Sequence, residues 1–167
     1  MPRGRMYKVP HRRRREGKTD YRLRLRLLMS GKPRFVVRKS SNNITCQIMQ
    51  HNPTGDVTIV HADSRELAKL GWKSHGGNLP SAYLTGLLCA LRAKKKKIPG
   101  AVLDMGLYRS TKGSRLYAAL RGALDGNMNI PHSPDILPPD DRIKGKHTKS
   151  IAEKDFEAVK KKIMNEQ

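Results

Sequence analysis

This chain of 167 residues predicts an α/β fold: a mixed, largely antiparallel sheet with helices packed on one face, a basic N-terminal arm and a C-terminal helical extension. Three observations predict it. Short runs of alternating apolar and polar residues follow one another between Arg34 and Ala62, joined by turns short enough for antiparallel hairpins. Leu84, Leu87, Leu88 and Leu91 recur at the spacing of a helix packed on a sheet. Fifteen of the 35 lysines and arginines fall in the first 39 residues against Glu16 and Asp20 alone, so this stretch carries +13 of a net +21. Two acids cannot partner so many buried cations, so the segment must face water or a polyanion.

Three units are expected: a basic RNA-binding arm with a short helix over 1–30, an α/β core over 31–126, and a proline-rich extension with a terminal helix over 127–167. Residues 1–18 have no hydrophobic period and read as an arm that orders on binding. From Asp20 to Met29, Arg22, Arg24 and Arg26 alternate with Leu23, Leu25 and Leu27, which suggests a strand. Leu28-Met29 and the propensities of leucine and arginine favour a helix capped by Asp20 and ending at Ser30-Gly31.

The first strand, Arg34–Ser40, puts Phe35 and Val37 on one face and Arg34 and Arg38 on the other. After Ser41-Asn42-Asn43, Ile44, Cys46 and Ile48 alternate with Thr45, Gln47 and Met49; after Asn52–Asp56, Val57–Ala62 is a third strand. Asp63-Ser64-Arg65-Glu66 has the form of a capping box and starts a short helix through Leu70. Gly71–Leu79 is a glycine-rich loop holding the only tryptophan, and Pro80 suits the first turn of the leucine-striped helix, which ends in Lys94–Lys97. Ala101–Met105 reads as a strand, Gly106–Gly113 as a loop, and Leu116, Leu120 and Ala123 as a helix closed by Gly126. Asn129–Lys149 is expected to be irregular. Ser150-Ile151-Ala152-Glu153 forms a second capping box before a helix that runs from Glu153, Asp155 and Glu157 to Lys160, Lys161 and Lys162.

Cys46 and Cys89 lie in apolar runs without a CxxC or CxxH partner, which predicts reduced core thiols rather than a disulfide or zinc site. No apolar leader or long apolar run occurs, so a cytosolic protein is expected, unless the arm hides a nuclear import signal. None of the six histidines sits in a catalytic signature, and clustered carboxylates for a metal-dependent nuclease are missing. Gly113-Ser114 near Lys112 lacks the spacing of a phosphate loop; a single phosphate at the helix start and a plain turn are both open. Trp72 is expected to anchor its loop, with Lys73 and His75 turned to RNA, and Lys94–Lys97 reads as a solvated helix end. Arginine forks phosphates and stacks on bases, so the clustering points to RNA. Two alternatives stand beside an RNA-docking protein: an RNA-processing nuclease, separable by divalent-dependent cleavage, and a nonspecific RNA chaperone.

Three stretches together resemble one family: DYRLRLRLLMSGKPRFVVRK (Asp20–Lys39), GWKSHGGNLPSAYLTG (Gly71–Gly86) and GLYRSTKGSRLYAALRGALDGNMNIPHS (Gly106–Ser133). This is the family of the universal large-ribosomal-subunit protein L-eighteen, in its archaeal form; the tail past Gly126 matches the archaeal and eukaryotic branch. The resemblance implies an α/β sandwich that binds 5S rRNA and helps dock it onto large-subunit rRNA in the central protuberance. It implies no enzymatic activity, cofactor or metal. Its implied partners are 5S rRNA, large-subunit rRNA and neighbouring ribosomal proteins, including the other 5S-binding protein, with no membrane and no DNA, in the cytoplasm. The implied RNA-binding residues are Arg3, Arg5, Arg12, Arg13, Arg14, Arg15, Arg22, Arg24 and Arg26 in the arm and its helix. Arg34, Arg38, Asn42, Asn43, Thr45 and Gln47 follow on the sheet, and Lys73, His75, Arg109 and Lys112 in the loops.

Overall fold

The structure, a computed structural model, describes residues 4–148 and 153–165. Three strands, β1 (Arg34–Lys39), β2 (Ile44–Gln50) and β3 (Val57–Asp63), form the antiparallel meander that the alternation predicts. A fourth, β4 (Val102–Asp104), returns beside β1 and runs parallel to it, giving the order β3-β2-β1-β4. The sheet is therefore mixed and largely antiparallel, as expected.

The register decides which side chains share a face. Phe35 pairs with Ile48 and Val37 with Cys46, and all four are fully buried. The intervening pairs, Arg34 with Met49, Val36 with Gln47 and Arg38 with Thr45, lie on the opposite, outer face. A register shift between Ile48 and Met49 adjusts the pairing with β3 near the end of that strand.

Two long helices cover the inner face. In α4 (Leu79–Lys95), Asn78 caps the start by accepting the Ser81 amide, and Pro80 occupies the first turn. Its leucine stripe is buried as predicted, but most of its other residues are buried too. The reason is that α4 is surrounded. The sheet lies on one side, α5 (Arg115–Asp125) on another, and α7 (Glu153–Asn165) on a third. α5 crosses α4 where both helices lack a side chain: a Cβ on Gly86 would collide with the Ala119 carbonyl, and one on Gly122 with that of Tyr83. α7 contributes Phe156, Val159 and Ile163 to the same core, with the Phe156 ring 5.6 Å from that of Tyr83.

The short helix α3 (Glu66–Lys69) is anchored by half of the predicted box: Glu66 Oε1 accepts the Asp63 amide at 2.9 Å, while Asp63 Oδ1 accepts the amide of Arg65. Cys46 and Cys89 are buried free thiols, Cys89 pushed up to about 12 by burial. Two expectations need adjustment. Asn129–Lys149 is not wholly irregular: it holds a 3-10 turn at Pro134–Ile136 and a short helix, α6 (Asp140–Ile143), whose Asp140 and Asp141 suit the positive end of its dipole. The arm also carries a helical turn, α1 (Arg12–Arg15), where no period predicted one. Glu16 helps by pairing with Arg12 and Lys18. The second capping box, Ser150 to Glu153, lies outside the described residues.

Candidate nucleic-acid interface

The outer face of the sheet is polar, and its charges are organised by two buried or half-buried acids. Asp56, in the β2–β3 turn, accepts hydrogen bonds from Arg24 Nη1 and Nη2 at 2.8 Å each and from Arg34 Nη2 at 2.5 Å. His51 Nδ1 lies 3.2 Å from its other oxygen. Asp104, on β4, accepts Arg34 Nη1 at 2.7 Å. Arg38 Nη1 donates to the Asp104 and Val37 carbonyls, and its Nη2 lies 3.4 Å from the Asp104 carboxylate. The paired hydrogen bonds from Arg24, followed by those of His51 and Arg34, hold the Asp56 carboxylate far below its ordinary range despite partial burial. Farther along the sheet, burial would push Asp63 up, but Arg65 and the Thr45 hydroxyl hold it below its usual value.

Arg34 is thus placed differently from the sequence reading. It is on the predicted face, but only 3% exposed, with its charge spent on Asp56 and Asp104. A buried guanidinium requires such partners, and β4 and the β2–β3 turn supply them. Arg38 stays half-exposed beside Gly106, and Thr45 and Gln47 are half-buried.

Helix α2 (Tyr21–Met29) stands on this side of the sheet. Asp20 caps it as expected, its Oδ1 accepting the amides of Arg22 and Leu23. Helical spacing turns Arg24 inward to Asp56 and leaves Arg22 and Arg26 exposed. The arm leads into it: the His11 ring lies 5.1 Å from that of Tyr21, and Arg13 Nε donates to Thr19. Arg5 and Arg12 to Arg15 are exposed; Arg3 lies outside the described residues.

Beyond the end of β1, three loops converge. The Ser40–Asn43 turn approaches the Ser74–Asn78 loop so closely that a Cβ on Gly77 would lie 2.5 Å from the Ser41 carbonyl, and one on Gly76 3.0 Å from that of Asn42. Arg115 ties the two together, donating to the Gly77 carbonyl at 2.6 Å and, at 3.4 Å, to that of Ser40. Tyr108 donates to the Lys39 carbonyl while Lys39 Nζ sits over its ring, which fixes the loop carrying Arg109 and Lys112. Lys73, His75, Arg109 and Lys112 are all exposed; Trp72 is buried and anchors its loop. Among the described residues, Arg14, Arg15, Arg22, Arg26, Lys73, Arg109 and Lys112 form no ion pair, while Asp56, Asp63 and Asp104 are each engaged by arginine. The surface therefore offers cations and amides while the carboxylates of its sheet face, Asp56, Asp63 and Asp104, are engaged, a chemistry suited to phosphate and sugar. No group of three potential metal ligands occurs among those residues, nor a helix long and apolar enough to cross a membrane.

Residues 5–98 and 92–133 match the model of a family described as ribosomal large subunit proteins 60S L5 and 50S L18. The chain belongs to this family. It is 54% identical over 160 residues to the large ribosomal subunit protein uL18 of Methanococcus maripaludis, covering 94% of this chain and 83% of the relative. The protein of the same name from Korarchaeum cryptofilum is 56% identical over 154 residues, covering 92% and 79%. As a member of the L18 family the chain is a structural ribosomal component and not an enzyme.

Arg115, Tyr108, Asp56 and Asp104 organise this L18-family surface, and sequence reasoning missed all four. One signal was available: Arg115 is a cation at the positive end of a helix with no acid in its first turn, so it must find acceptors elsewhere. The two aspartates gave none, since their partners are distant in sequence.

Proposed function

We propose that this protein binds 5S rRNA through its outer sheet face, α2 and basic arm. On this reading the loops beyond β1 help dock that RNA onto large-subunit rRNA in the central protuberance. Neighbouring large-subunit proteins, among them the other 5S-binding protein, complete the site in cytoplasmic ribosomes. One observation carries the proposal: the acids of this face are tied up within the protein, while Arg14, Arg15, Arg22, Arg26, Lys73, Arg109 and Lys112 stand exposed and without ion pairs. Arg5, Arg12, Arg13, Arg38, Asn42, Asn43, Thr45, Gln47 and His75 extend the set. Arg24 and Arg34 belong to its internal scaffold.

Cations of this kind release counterions when they neutralise phosphates, and a polar sheet surface reads RNA by shape more than by base identity. Filter binding of labelled 5S rRNA with tRNA as competitor tests the assignment. Affinity should fall by about a thousandfold between roughly 50 and 200 mM salt if some 6–10 phosphates are engaged. Excess tRNA should fail to displace the complex. Equal competition by tRNA would make the protein a nonspecific RNA chaperone instead.

A further inference from the structure

We propose that Asp56 is a positioning residue: its carboxylate latches α2, and the arm attached to α2, against the outer face of the sheet. The inference rests on the RNA-binding reading above and adds to it a device that sets the geometry of the arm. Helix α2 has no fully buried residue; Tyr21, Leu27 and Leu28 are only half-buried, so apolar packing alone holds it weakly. Among the described residues, the only side-chain hydrogen bonds joining it to the sheet domain are the two from Arg24 to Asp56. Asp56 sits in a turn, but it is itself held by Arg34, which Asp104 fixes from β4. The chain of alternating charges thus runs from helix to turn to the sheet's far edge strand. On the helix's other side, Arg22 and Arg26 stand one turn apart and exposed. With the latch closed they project from a fixed body, so less ordering entropy opposes RNA binding.

The sign of one substitution separates this device from simple charge attraction. Asp56→Asn removes a negative charge from a protein that binds a polyanion, so attraction alone predicts tighter binding. The latch predicts weaker binding, on the order of tenfold, with Asp56→Glu restoring most of it. Arg24→Gln leaves the Asp56–Arg34 pair in place and guards against an Asp56→Asn protein that fails to fold. In the RNA-free protein, hydrogen exchange over residues 21–29 should accelerate by about tenfold in either variant. The double variant should bind RNA no more weakly than the weaker single one, because both remove the same link. Unchanged or tighter binding by a folded Asp56→Asn protein overturns the proposal, as does unchanged exchange in α2. For Arg24→Gln the corresponding contrary results are unchanged exchange and a loss of affinity that adds fully to that of Asp56→Asn. Failure of the wild-type protein to bind 5S rRNA removes the RNA reading and this role with it. Binding by wild type without a defect in Asp56→Asn removes the latch alone.

Discussion

Asp56 carries one of the most informative residue-scale signals in the molecule, because its environment makes an acid-dependent contribution to stability. The Arg24 hydrogen bonds lower its carboxylate below the ordinary 3.8, so folding favours the ionised form. That contribution is fully present above the ordinary value and is lost as pH falls from there through the lowered folded value. Thermal melts between about pH 2 and 7 should therefore show a wild-type acid limb that Asp56→Asn flattens. Parallel limbs would mean that the carboxylate contributes nothing to the difference between folded and unfolded states. Such pairs set the limit of what the sequence alone discloses. The alternation of Arg34 and Arg38 with Phe35 and Val37 correctly predicts their faces. It cannot tell that Arg34 is internally neutralised, because Asp56 and Asp104 lie 22 and 70 residues away.

At the scale of elements, the periodic segments were legible and the surroundings of each were not. The three hairpin strands, α2 with its Asp20 cap, and α4 with Pro80 in its first turn all follow from local chemistry; the Asn78 cap of α4 came from the structure. That α4 is buried nearly all round follows from α5 and α7, whose packing is a tertiary fact. Gly86 and Gly122 look like helix-weakening residues in isolation; their use is the close crossing of two backbones. Gly122→Ala should therefore destabilise by at least the upper part of the usual ~1–3 kcal/mol of overpacking, despite alanine's better helix propensity. Denaturant melts measure it. A neutral or stabilising result would show that the helices can separate to admit a methyl group.

For the molecule as a whole, the division of charge is the feature that links fold to function. The 14 acids among 35 lysines and arginines are too few to neutralise the protein. On the outer sheet face three of those acids, Asp56, Asp63 and Asp104, hold arginines in place. The opposite face buries its side chains against α4 and α5, and α7 packs beyond. The central claim is that one side of this body, the arm, α2, the outer sheet face and the loops beyond β1, meets 5S rRNA. Residue-resolved RNA crosslinking in assembled large subunits tests it most directly. The account predicts crosslinks to 5S rRNA from Arg22, Arg26, Arg38 and Gln47, and none from Lys161 on the exposed side of α7. Crosslinks to 5S rRNA from Lys161 with none from the outer sheet face or α2 would contradict it.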